Sequence, residues 1–130
     1  MIKVPDKLNF VIADDDRMTR NVLRMFLHEA YHLIVGEACD GEKALDLCIA
    51  HQPDIAFIDI DMPKLDGHQA TKKIRESCEN TQVIVVSSLA TASNVQLALQ
   101  AGASAFVVKP FNSNKINEAI EQCIKKLKVA

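Results

Sequence analysis

Three carboxylates stand where a small domain has no structural use for them. Asp59 lies in Phe57-Ile58-Asp59-Ile60-Asp61-Met62-Pro63, directly after an apolar run, and Asp14 and Asp15 follow another, Phe10-Val11-Ile12-Ala13. If both runs are buried strands, the acids crowd together at strand ends, and like charges at close range need a positive partner. A divalent cation held by hard carboxylate oxygens meets that need. Mg2+ suits it best, because it keeps several waters and shares its shell with phosphate oxygens. Phosphate chemistry then has a nucleophile at hand, since a carboxylate that takes a phosphoryl group forms an acyl phosphate. Lys109 offers a point charge for one phosphoryl oxygen and Ser87 a hydroxyl for another.

The elements that must position these residues are legible from periodicity. Short apolar runs predict strands over 8–13, 33–37, 54–58, 82–86 and 105–108. Amphipathic spacing predicts helices over 16–31, 41–51, 67–78 and 93–101, and a last one from Asn112 or Ser113 to about Lys128. Asp15 or Asp16 is placed to cap the first helix, Pro53 closes off the second, and Gly102 stops the fourth. Lys125, Lys126 and Lys128 suit the negative end of the last.

Strand and helix alternate five times, and the strands are uniformly apolar. That pattern predicts an α/β fold: a flavodoxin-like, doubly wound parallel sheet of order 2-1-3-4-5, with five helices covering both faces. Ligands of such sheets bind at the carboxyl ends of the strands around the switch point. Asp14, Asp15, Asp59, Ser87 and Lys109 all fall on that one rim.

The 130 residues predict a single domain spanning 1–130, with its core over about 8–128. A net charge of -2 gives no electrostatic footprint for nucleic acid, which argues against direct DNA binding. The opening Met1-Ile2-Lys3-Val4-Pro5-Asp6 lacks the apolar core of a signal peptide, and no run is long enough to span a bilayer. A cytoplasmic protein without membrane insertion is expected. Cys39, Cys48, Cys78 and Cys123 show neither zinc nor redox spacing and read as reduced structural thiols. Asp16, Asp61 and Asp66 suit caps and loops, and His28, His32, His51 and His68 read as surface residues. His68 stands out for its place near the pocket.

Val11-Ile12-Ala13-Asp14-Asp15-Asp16, Asp59-Ile60-Asp61-Met62-Pro63-Lys64-Leu65-Asp66-Gly67, Ser87 and Lys109-Pro110-Phe111 together resemble the receiver domain of two-component response regulators. The resemblance covers about residues 8–128. It implies that Asp59 is the phosphoacceptor for a histidine kinase or a histidine phosphotransfer protein. It implies Mg2+ ligated by Asp15, Asp59 and the backbone carbonyl of Asp61, with Asp14 acting through a bound water. Ser87 would bind the phosphoryl group, Lys109 would bridge an anionic oxygen, and the Lys109–Pro110 peptide would be cis. Phe106 occupies the aromatic switch position, so that Ser87 and Phe106 would relay the change to a downstream protein target or a separate output domain. Asp61 adds negative charge near the entrance for hydrolytic water. No charge pattern across the last two helices matches the dimer face of the transcription-factor subfamily.

Other readings stay open at this point. A stand-alone switch would dock through the Phe106 face, whereas a relay intermediate would use the rim around Asp14, Met18, Pro63 and Lys109. Asp59-x-Asp61 also resembles the nucleophile pair of haloacid-dehalogenase-type phosphatases, but those carry it on the first strand and need a later acidic pair. A flavodoxin would want a Ser/Thr/Gly-rich loop after strand 1, where this chain has three aspartates.

Overall fold

A computed structural model describes residues 7–129. The expectations resting on Met1 to Asp6, on the Lys128 side chain and on Ala130 lie outside the described residues. The elements run β1(Asn9–Ala13), α1(Arg17–Glu29), β2(Leu33–Ala38), α2(Gly41–His51), β3(Ile55–Asp59), α3(Gly67–Ser77), β4(Gln82–Ser87), α4(Ala92–Ala101), β5(Ala105–Val108) and α5(Ser113–Val129). All strand pairs are parallel, in the order β2-β1-β3-β4-β5. Among the described residues no helix is long and apolar enough to cross a membrane.

The strand sequences explain the layering. Alternate residues of a strand point to opposite faces, so Val11, Ala13, Ala56, Ile58, Val83 and Val85 meet α2, α3 and α4 on one side. Phe10, Ile12, Ile55, Phe57, Ile84 and Val86 meet Leu23 and Leu27 of α1 and Ile116, Ala119, Ile120 and Cys123 of α5 on the other. β3 and β4 are buried at every position, because each carries apolar residues on both faces. Cys48, Cys78 and Cys123 are buried as small apolar side chains, and Cys39 is an exposed free thiol.

Several boundaries shift by a residue or two from the periodicity, and the shifts have causes. α1 ends at Glu29 rather than Tyr31, because Tyr31 sits at φ 63° while its N–H and that of His32 satisfy the carbonyls of His28 and Leu27. Asp16 caps α1, Asp66 caps α3 and Thr91 caps α4, each accepting from a main-chain N–H in its own first turn. For α5 the cap is Asn112, whose side-chain Oδ1 accepts from Lys115 N at 2.9 Å. β3 and β4 each run one residue further than expected, so Asp59 and Ser87 belong to the sheet itself.

Two of the four histidines are not free surface residues. His28 and His51 are exposed, but the half-buried His32 accepts from Leu8 N through Nδ1 at 3.1 Å and packs its ring 5.0 Å from that of Phe10. Burial lowers the His32 pKa. His68 is half-buried as well.

Candidate functional site

The parallel order brings the ends of β1, β3 and β5 to one rim. Asp14 follows β1 and is held in line by its N–H, which donates to Ala38 O of β2 at 3.0 Å. Asp59 closes β3 in register with Val86 of β4. Its successor Ile60 extends the ladder, donating to Val86 O at 3.1 Å. Lys109 follows β5, and its N–H donates to Ser87 O at 2.8 Å. The Lys109–Pro110 peptide is cis.

Three carboxylates converge as their positions implied. Asp14, Asp15 and Asp59 each offer an oxygen within 4.8 Å of the others, Asp14 and Asp59 being buried and Asp15 exposed. Lys109 Nζ sits between two of them, 2.8 Å from Asp14 Oδ2 and 3.2 Å from Asp59 Oδ1. The contact with Asp14 is an ion pair without hydrogen-bond alignment, so the buried Oδ2 has no directed donor. Asp14 Oδ1, in contrast, accepts from Asp16 N at 2.8 Å.

Electrostatics follow from that crowding. Burial, reinforced by repulsion from Asp14, pushes the Asp59 pKa up to about 6 against the pull of Lys109. For Lys109, burial disfavours the charge, but attraction to Asp14 and Asp59 outweighs it and the pKa is raised. One ammonium therefore faces three acids, and the pocket remains short of positive charge at neutral pH. An undirected buried oxygen, an all-oxygen donor set and a net negative pocket fit a hard divalent cation such as Mg2+.

Other expected site residues stand around this centre. Ser87 is buried at the end of β4, where its Oγ accepts from Leu89 N at 3.0 Å and lies 3.4 Å from Leu89 O. Its hydroxyl is thus engaged by the β4–α4 loop. Asp61 is exposed in the β3–α3 loop. Phe106 is half-buried on edge strand β5 and packs against the α2–α3–α4 side of the core. A cavity of about 310 Å³ lies along that strand, lined by Phe106, Val108, Pro110, Lys115, Glu118 and Gln122 among others.

Sequence reading passed over Arg20, which touches this site, and over Glu37 and Arg24, which stand behind it. Arg20 Nη1 donates to the Asp14 carbonyl at 2.7 Å and its Nε lies 3.5 Å from Glu37 Oε1. Arg24 forks onto the same Glu37 at 2.7 and 2.8 Å. One signal was available: Glu37 is the lone acid in the apolar run Leu33-Ile34-Val35-Gly36-Glu37-Ala38, and the arginines are four apart on one helix.

His68, in the first turn of α3, buries both ring nitrogens without a partner. A neutral imidazole has one donor and one acceptor, and leaving either dry costs about 1–3 kcal/mol. His68→Leu is expected to raise stability by about 1 kcal/mol in urea denaturation. A loss of stability would show that the ring is satisfied in solution.

A sequence profile described as the response regulator receiver domain matches residues 10–121. The chemotaxis protein CheY of Bacillus subtilis is 34% identical over 114 residues, which cover 88% of this chain and 95% of that protein. The transcriptional regulatory protein PdtaR of Mycobacterium tuberculosis is 35% identical over 118 residues, 91% of this chain, but the chain spans only 57% of PdtaR. Among solved structures, a chain of the CheX–CheY–BeF3–Mg2+ complex from Borrelia burgdorferi superposes with a TM-score of 0.86 at 32% identity, covering 89% of this chain and 88% of that one. With its five-stranded order, its acid pocket on the switch-point rim and a profile match over most of its length, the chain belongs to the receiver-domain family of two-component response regulators.

Proposed function

We propose that the protein is a phosphorylation-gated switch whose phosphoacceptor is Asp59. The observation that carries this reading is the pairing of a buried carboxylate with Lys109 Nζ at 3.2 Å, inside a cluster that stays negative. An oxygen of Asp59 attacks phosphorus, the bond from phosphorus to a histidine nitrogen of the donor breaks, and that nitrogen keeps the electron pair. The product is an acyl phosphate. Lys109 meets the incoming charge and Ser87 turns from Leu89 towards a phosphoryl oxygen.

Asp14, Asp15, Asp59 and the Asp61 carbonyl would hold Mg2+, which when bound supplies the charge that lets an anionic donor approach an anionic acceptor. The Borrelia relative crystallised with BeF3 and Mg2+ supports the same pairing of ligands here. The donor is a histidine kinase or a histidine phosphotransfer protein. An apolar recess of about 390 Å³ beside the acids, lined by Met18, Val22, Ser88, Lys109, Pro110 and Phe111 among others, supports docking of that donor against α1. The same recess would serve onward transfer in a relay.

Phosphorylation shifts the population of the Ser87 and Phe106 arrangements, and the face around Phe106 reports it to a protein target or an output domain. The protein works in the cytoplasm as one receiver domain over 1–130. It assists its own phosphorylation and dephosphorylation and turns over no separate substrate. Intact-mass spectrometry after incubation with acetyl phosphate tests the reading. A single Mg2+-dependent phosphoryl adduct is expected on the wild type and none on Asp59→Asn. An undiminished adduct on the variant would assign the wrong residue, and none on the wild type would leave a docking module.

A further inference from the structure

The Asp14 carbonyl stands one residue beyond the last registered pair of β1 and β2, Ala13 with Ala38. No ladder partner continues there, yet Asp14 is fixed through the peptide on either side of it. Its N–H goes to Ala38 O at 3.0 Å and its C=O receives Arg20 Nη1 at 2.7 Å. Arg20 is itself oriented: Glu37 Oε1 lies 3.5 Å from its Nε, and the Arg24 fork at 2.7 and 2.8 Å holds Glu37 still. The Arg20 and Glu37 side chains are only 19% and 28% exposed, so this is not a loose surface pair.

We propose that Arg20 is a positioning residue: oriented by Glu37, it sets the place of the Asp14 carboxylate and thereby the cation affinity of the pocket. The inference rests on the reading of the acid cluster as a Mg2+ site. Arg20 touches neither the acid oxygens nor any group placed in phosphoryl transfer. Its hold on the main chain is what transmits. A peptide free to rotate about the end of β1 would let Asp14 Oδ2 swing away from Lys109 and Asp59. Partners that orient metal ligands commonly govern affinity by about 10–100-fold.

Arg24 provides the internal control. It shares Glu37 with Arg20, through two hydrogen bonds of its own, but is more exposed and makes no hydrogen bond to Asp14. Mg2+ titration followed by amide NMR shifts, alongside urea denaturation, separates the roles. Arg20→Met is expected to weaken Mg2+ binding about tenfold, Arg20→Lys to recover much of that loss by donating to the same carbonyl, and Arg24→Met to change affinity less than threefold although it removes both hydrogen bonds to Glu37. Equal weakening in Arg20→Met and Arg24→Met would reduce Arg20 to general packing and overturn the proposal, as would wild-type affinity in Arg20→Met. A wild type that binds no Mg2+ would instead overturn the metal reading, and this proposal with it.

Discussion

Gly67→Ala is expected to destabilise the protein by about 3 kcal/mol or more and to displace Asp59, the proposed phosphoacceptor. The usual expectation for glycine inside a helix runs the other way, because alanine there gains about 1 kcal/mol. Gly67 is the first residue of α3, and its N–H donates to Ile60 O at 2.9 Å, so the helix starts hard against the end of β3. A Cβ on Gly67 would collide with the Asp59 carbonyl oxygen and lie 2.6 Å from Ile60 Cα and 2.8 Å from the Asp59 carbonyl carbon. All three atoms are main chain of a strand residue and its neighbour, so no rotamer change relieves the overlap. Overpacking ordinarily costs about 1–3 kcal/mol where side chains can yield, and here they cannot. Urea denaturation gives the stability change, and Mg2+ titration reports the displaced Asp59. A loss under about 1 kcal/mol, with unchanged Mg2+ affinity, would mean that the β3–α3 loop moves freely and does not brace the acceptor.

Much of this architecture could be read from residue order, for reasons that particular elements make plain. Ile55-Ala56-Phe57-Ile58 and Val83-Ile84-Val85-Val86 are apolar at every position, which only a strand covered on both faces tolerates. Once those strands were parallel and doubly wound, the rim holding Asp14, Asp15, Asp59 and Lys109 followed from topology. What could not be read depends on side-chain contacts between elements distant in sequence. The lone acid Glu37 and the arginine spacing mark these residues as unusual, but the local pattern does not say that Arg24 reaches Glu37, thirteen residues on, across the α1–β2 packing. The same holds for His32, whose spacing suits a surface turn but whose ring is drawn in beside Phe10 by the N–H of Leu8. Ser87 shows a third kind of limit. Its position at a strand end is a property of the fold, but the direction of its hydroxyl is decided by the free N–H of Leu89.

In metal-free protein, Asp59→Asn is expected to gain about 2 kcal/mol of stability at pH 7.5 while losing the phosphorylation proposed for Asp59. The folded-state pKa of about 6 lies above the ordinary 3.8. Burial is the main cause, and repulsion from Asp14 adds to it. A raised carboxylate pKa means that the folded protein binds its proton more tightly than the unfolded chain does. Stability is therefore fully retained below about pH 4 and falls as pH rises through about 6. Two pKa units correspond to about 3 kcal/mol, and water at the mouth of the pocket reduces that to about 2. Asparagine keeps the shape and removes the charge. The two proteins should thus converge in stability near pH 4, separate between pH 4 and 6 and keep a constant gap above that, in urea denaturation with a chelator present. Mg2+ should narrow the gap at pH 7.5, because a cation that binds the folded wild type stabilises it in proportion to the logarithm of its saturation ratio. It should do less for the variant, which offers one carboxylate fewer. A constant difference between the two proteins across pH 4 to 8 would locate the cost of Asp59 in packing rather than charge. It would also remove the electrostatic reason for the pocket to take a cation.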